Sequence, residues 1–278
     1  MLRNTFCHVT GIGPRIERRL WSNGIRDWDA FLQHAEPPLP RRRIPRARSI
    51  VRRSLTEIDR ENATYFERRL PSDEHWRLYP EFQHSLAYID IETNGDPAAN
   101  VITTISVYDG TRISCYVRGR NLEDFRTDIA RFKLIVTYSG KSFDVPVLES
   151  TFGIRIEAAH IDLRYVLRSL GFTGGLKSIE RQFGIDRGAL AGLDGYWAVL
   201  LWRDFVDNAN EGALDTLLAY NIQDVVNLEA LMVEAYNRKL ERTPFAATHH
   251  VDPLDIPESP FKPDVRTIRR IKQARFLR

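Results

Sequence analysis

Three short runs in this chain combine side chains that can hold cations and position water. Asp90-Ile91-Glu92 ends an apolar stretch, Leu86-Ala-Tyr-Ile89, that reads as a β-strand. In a strand, residues i and i+2 point to one face, so the two carboxylates would stand side by side. Adjacent carboxylates repel unless a cation lies between them. Oxygen donors of this kind suit Mg²⁺ or Mn²⁺, which keep water in their shells and bind phosphate. The second run, Ser139-Gly-Lys-Ser-Phe-Asp144, follows a later strand; Gly140 permits a turn and Asp144 opens a helix. The third places Tyr220 and Asp224 in a helical pattern of Leu214, Leu217, Leu218, Val225, Leu228 and Leu231. At i and i+4 they share a helix face. Taken alone, each run also has a plainer reading: an exposed strand edge, a helix N-cap, or a hydrogen-bonded pair in the core.

The elements that must position these residues follow from hydrophobic periodicity and turn chemistry. Strands are predicted over 86–91, 101–108, 112–117 and 134–138, with a turn at Asp109-Gly110 between the second and third. Helices are predicted over 122–132, from 145, and over 161–170, 176–183, 195–208 and 212–240. Strands first, then alternation, then helices, imply an α/β domain with a mixed central sheet flanked by helices. Ahead of it, residues 1–35 read as a small helical module. Val9 to Pro14 supplies two glycines and a helix-starting Pro, and Asp27 is placed to cap a second helix with Trp28, Phe31 and Leu32. Residues 36–75 form a basic linker, rich in Pro and Arg, and a polar helix over 46–70; 76–243 is the main domain. Residues 244–278 form a Pro-containing basic tail, predicted to be extended and to order only against a partner.

Together, in this order and on these elements, the runs resemble the DEDD exonuclease superfamily of the ribonuclease-H-like fold. The Tyr220-x-x-x-Asp224 spacing points to its DEDDy branch. More closely, Asp90 to Gly95, Ser139 to Leu148, Ser178-Ile179-Glu180 and Tyr220 to Val225 are similar to YprB-type ribonuclease-H-like domains, over about residues 84–237. One departure stands out: the second motif often begins with Asn, and here Ser139 takes that place. The resemblance implies two divalent cations, Mg²⁺ or Mn²⁺, with Asp90 bridging both. Glu92 and Asp224 would complete one shell and Asp144 would hold the second. Tyr220 would orient the attacking water, its ordinary pKa near ~10 making that role safer than proton abstraction. Thr93, Ser139 and Lys177 are candidate substrate contacts, although a solvated helix Lys is the plainer reading of Lys177. Asp162 reads as a helix cap, Asp194 as a loop cap and Asp204 as a surface acid.

Charge adds to this. Residues 1–70 carry fifteen Arg, no Lys and eight acids, a net +7; residues 71–261 carry −10; residues 262–278 carry +6. An acidic centre between basic ends suits a metal-binding catalytic domain with arms that attract a polyanion. Residues 9–21 resemble a helix-hairpin-helix element. That likeness implies phosphate contacts from the backbone at Gly11 and Gly13, supported by Arg15, Arg18 and Arg19; a packing role is the alternative. Two cysteines, Cys7 and Cys115, allow no disulfide framework or zinc cluster. No run approaches the roughly 20 apolar residues of a membrane span, and no signal peptide is evident. The expectation is a cytoplasmic protein whose partner is nucleic acid, DNA or RNA, with protein partners unknown. The leading reading is a 3′→5′ exonuclease on single strands, with DNA favoured. The alternatives are a structure-selective endonuclease of the same fold, an inactive nucleic-acid-binding module, or an interaction protein whose acidic centre binds basic partners.

Overall fold

The computed structural model describes residues 1–253 and 255–276. A five-stranded sheet has the order β3-β2-β1-β4-β5. Its strands are β1 (Leu86–Thr93), β2 (Ile102–Tyr108), β3 (Ile113–Val117), β4 (Leu134–Thr137) and β5 (Ala159–Asp162). β1, β2 and β3 pair antiparallel, whereas β1–β4 and β4–β5 are parallel, so the sheet is mixed. Helices surround it: α1 (Pro14–Ser22), α2 (Trp28–Gln33), α3 (Ile44–Asp59), α4 (Ala63–Glu67), α5 (Tyr79–Phe82), α6 (Phe125–Asp128), α7 (Asp144–Phe152), α8 (Leu163–Ser169), α9 (Leu176–Gln182), α10 (Gly195–Asn208), α11 (Glu211–Leu240) and α12 (Val265–Phe276). The architecture is α/β, a mixed sheet flanked by helices, as the sequence predicts.

The two faces of β1 separate cleanly. Leu86 and Tyr88 pack into the core that includes Ile222, Val225 and Leu228 of α11, while Ala87, Ile89 and Ile91 join Phe125, Leu148 and Phe152 on the opposite side. Period-2 alternation therefore puts Asp90 and Glu92 on the α11 face, at the end of the strand. The 30-residue α11 is the spine of that face. Asn210 caps it by accepting from the Gly212 amide at 3.1 Å, which satisfies one of the otherwise orphan donors of a helix start.

The N-terminal helices share the main core: Met1, Phe6, Trp28 and Phe66 belong to the same apolar cluster as Tyr88 and Tyr236. Trp21 meets Phe245 edge to face, with centroids 5.4 Å apart. Beneath this contact Arg77 bonds Glu17 at 2.8 Å and Glu74 at 2.7 Å, and all three are buried.

Several expectations change. The helix predicted over 46–70 is two helices. α3 stops at Asp59, Glu61 takes a positive φ of 53°, and Asn62 caps α4 through the Tyr65 amide. Its continuing apolar points hid that capping signal. The helix over 122–132 is a single α turn between 3-10 turns. Residues 159–162 form a strand before the helix that begins at Leu163, not at 161. The tail is not simply extended: residues 265–276 form α12, whose Ile268 and Ile271 pack with Leu201 and Leu217. Arg270 pairs with Asp204, and Asn210 bonds Thr267 at 3.1 Å. Asp204 is therefore a buried anchor for α12 rather than a surface acid; it also accepts from Asn208 and Asn210.

Candidate metal centre

β1 and α11 bring Asp90, Glu92 and Asp224 together, each offering a carboxylate oxygen within 4.8 Å of the others. Asp90 is held by Asn221, whose Nδ2 donates to Asp90 Oδ2 at 2.7 Å. The other end of the same amide accepts from Thr104 Oγ1 on β2 at 3.2 Å. One buried Asn thus fixes the helix against two strands and orients a carboxylate. Asp144 lies outside that group, at the first turn of α7, buried, with its own amide and that of Ile91 directed at its carboxylate.

Asp224 is bracketed by two cations. Lys177 closes on both of its oxygens, and Arg187 Nη2 lies 2.6 Å from Oδ1. Arg187 Nη1 also donates to both oxygens of Glu180, at 2.7 and 2.8 Å, and Glu180 accepts from Asn227 at 2.9 Å. Tyr220 is buried beneath them, with Lys177 Nζ 4.5 Å and Arg187 Cζ 5.1 Å from its ring centroid. The Lys–Asp224 pair neutralises part of the cluster, so Lys177 is an ion-pair partner of the carboxylates rather than a solvated lysine.

The loop before Asp144 is built by Asp162, which accepts from the amides of Ser139 at 2.8 Å and Lys141 at 3.1 Å and also caps α8 through Arg164. Ser139 sits in the left-handed region, φ 67°, which Asn tolerates better than Ser. A Cβ on Gly140 would overlap Thr137, so the turn closes tightly there. Thr93 is half-buried at the end of β1, where the register with β2 slips between Glu92 and Thr93. Gly11 (φ 86°) and Gly13, in the turn before α1, and Arg15, in its first turn, are exposed and lie outside the carboxylate cluster. Asn221 and Arg187 escaped the sequence reading. Asn221 carried a usable signal, a polar residue three before Asp224 in an apolar helix; Arg187, in the loop after α9, carried none.

Crowding leaves a mark on the carboxylates. Burial, then Asp224, then Glu92 raise Asp90 well above the ordinary range. Burial and then Asp224 push Glu92 up to about 8. Burial pushes Asp144 up to about 7, against the pull of the two amides. Burial, followed by Asp224, also raises the Tyr220 phenol. Three oxygen donors that resist ionising together form a set that divalent cations fit, because the cations supply the missing positive charge. The folded state holds these protons more tightly than the unfolded chain, so the metal-free protein loses stability as pH rises through the gap between the two states. For Glu92 that window runs from 4.5 to about 8. Thermal melts across it should show a falling midpoint in EDTA and a flatter profile with Mg²⁺. A profile unaffected by Mg²⁺ would argue against cation binding here.

A family model of the RNase H superfamily matches residues 87–236, more than half of the chain and every one of the clustered carboxylates. No curated protein is matched. Among solved structures, the family B DNA polymerase from the hyperthermophilic archaeon Pyrobaculum calidifontis is similar, at 19% identity and a TM-score of 0.40, over 56% of this chain and 24% of that one. The chain thus spans about a quarter of that polymerase's length. Among the described residues no helix is long and apolar enough to cross a membrane. On the strength of the match across β1 to α11, the chain belongs to the RNase H superfamily.

Proposed function

We propose that this protein is a metal-dependent nuclease that shortens single-stranded nucleic acid from its 3′ end, with DNA the favoured polymer. The observation that carries the reading is the convergence of Asp90, Glu92 and Asp224, with Asp144 and Tyr220 beside them. Asp90, Glu92, Asp224 and Asp144 would hold two cations, Mg²⁺ or Mn²⁺. When bound, such ions supply a nucleophilic water at neutral pH and stabilise the leaving oxygen. Tyr220 stays protonated, because burial and Asp224 oppose its ionisation, and so acts by directing a hydrogen bond at the water rather than by taking its proton. Lys177 reaches the cluster and would meet the substrate phosphate. Thr93, at the end of β1, and Ser139, in the loop after β4, would line the strand's path. Gly11, Gly13 and Arg15 would hold the backbone further away. Nucleic acid is the partner, and with Cys7 and Cys115 both free thiols we place the protein in the reducing cytoplasm.

The test is digestion of 5′-labelled single-stranded DNA and RNA with Mg²⁺ or Mn²⁺. A ladder shortening from the 3′ end, abolished by EDTA, is expected, and faster on DNA. Discrete internal cuts would replace this reading by an endonuclease. No cutting of linear or branched substrates, with binding intact, would leave a binding module.

A further inference from the structure

We propose that a cavity at the other end of the sheet binds a small organic cation, an alkylammonium or a guanidinium, on Glu229. The cavity measures about 690 Å³ and is lined by Leu86, Tyr88, Asp109, Arg131 and Glu229, among others. That volume lies in the range of small-ligand sites. Glu229 projects from α11 into its wall and is 2% exposed, and among the described residues no lysine, arginine or histidine pairs with its carboxylate. The fully buried Tyr108 hydroxyl beside it is a neutral neighbour, placed to donate to the carboxylate.

The other deeply buried glutamates are served. Glu17 and Glu74 share Arg77, and Glu180 has Arg187 and Asn227. A buried carboxylate with no cationic partner is a costly group to keep ionised in a folded protein. The cations near the cavity are engaged elsewhere. Arg131 lies 3.7 Å from Asp109 and over the Phe132 ring, and His84 pairs with Glu61 at 3.0 Å. The wall therefore keeps a carboxyl without a paired cation among the described residues, and burial raises its pKa above the ordinary carboxylate value. Tyr88 forms part of the cavity wall and stacks on Tyr108 behind it, with centroids 5.7 Å apart. Aromatic faces next to a carboxylate form the surroundings that an organic cation prefers over a hydrated metal ion. An anion is disfavoured by Glu229 and Asp109 alike.

The experiment is calorimetric titration of the full chain, in saturating Mg²⁺, with putrescine and separately with Nα-acetyl-arginine methylamide. At least one should bind wild type, with affinity about tenfold or more weaker in Glu229→Gln. Glu229→Asp, which keeps the charge but withdraws it, should lose less than Glu229→Gln. Asp90→Asn should bind as wild type. Binding of the diamine alone assigns the site to a free amine, and binding of the arginine derivative alone to a side chain of a partner protein. Absence of binding by both overturns the proposal. So does equal affinity in wild type, Glu229→Gln and Glu229→Asp, or binding that disappears in Asp90→Asn, which would put the cation on the metal centre.

Discussion

Asp90→Asn is expected to slow phosphodiester hydrolysis by about three orders of magnitude, roughly 4 kcal/mol of transition-state stabilisation. Asp90 is the carboxylate that Asn221 orients, and it stands among Glu92, Asp224 and Asp144. The amide keeps the shape and removes the charge that two cations would share. Divalent-cation binding, followed by calorimetry, should weaken in parallel. The fold should survive, and the metal-free variant should melt no lower than wild type, because the substitution relieves repulsion among buried acids. The combination separates a chemical role from a structural one. Wild-type turnover in Asp90→Asn would show that the reaction centre lies elsewhere.

The largest effect on stability should come from Arg77→Met. Its guanidinium, 3% exposed, bonds Glu17 Oε2 at 2.8 Å and Glu74 Oε2 at 2.7 Å. Glu17 in turn accepts from the Thr5 hydroxyl and the Phe6 amide, both at 2.6 Å. Removing Arg77 leaves Glu17 buried and charged with only neutral donors, whereas Glu74 retains Lys239 at 3.5 Å. Breaking a buried pair in this way costs about 3–5 kcal/mol, and urea denaturation should show it. Adding Glu17→Gln to Arg77→Met should recover part of the loss. A double variant no more stable than the single one would mean that Arg77 acts through its packing over Trp76, 4.8 Å from the ring centroid, and not through charge.

What could be read in advance followed from local rules. Asp-x-Glu at the end of an apolar strand, and Tyr and Asp one helical turn apart, depend on periodicities of 2 and 3.6 that any sequence displays. Cap residues such as Asp27, which accepts from Ala30 at 2.7 Å, were visible for the same reason. What escaped depends on distant pairing. Asn221 matters because it reaches Asp90 and Thr104, 131 and 117 residues away. Arg187 matters because α9 and α11 close around it. Asp204 was misread as surface because its partner, Arg270, lies 66 residues on in a helix whose basic composition masked Ile268 and Ile271. Those two, three apart, were the available signal for α12.

The span between Asp90 and Asn221 also orders events in time. The strand carrying Asp90 and Glu92 is made early in the chain, but Asp224 and the amide that orients Asp90 come from α11, which begins at Glu211. Contacts this far apart in sequence form only after the chain between them has been gathered in. A polypeptide still being synthesised, or cut short before α11, therefore carries Asp90, Glu92 and Asp144 but lacks Asp224 and Asn221, and has no complete centre. Whatever hydrolysis the finished molecule performs is withheld until its last long helix has docked.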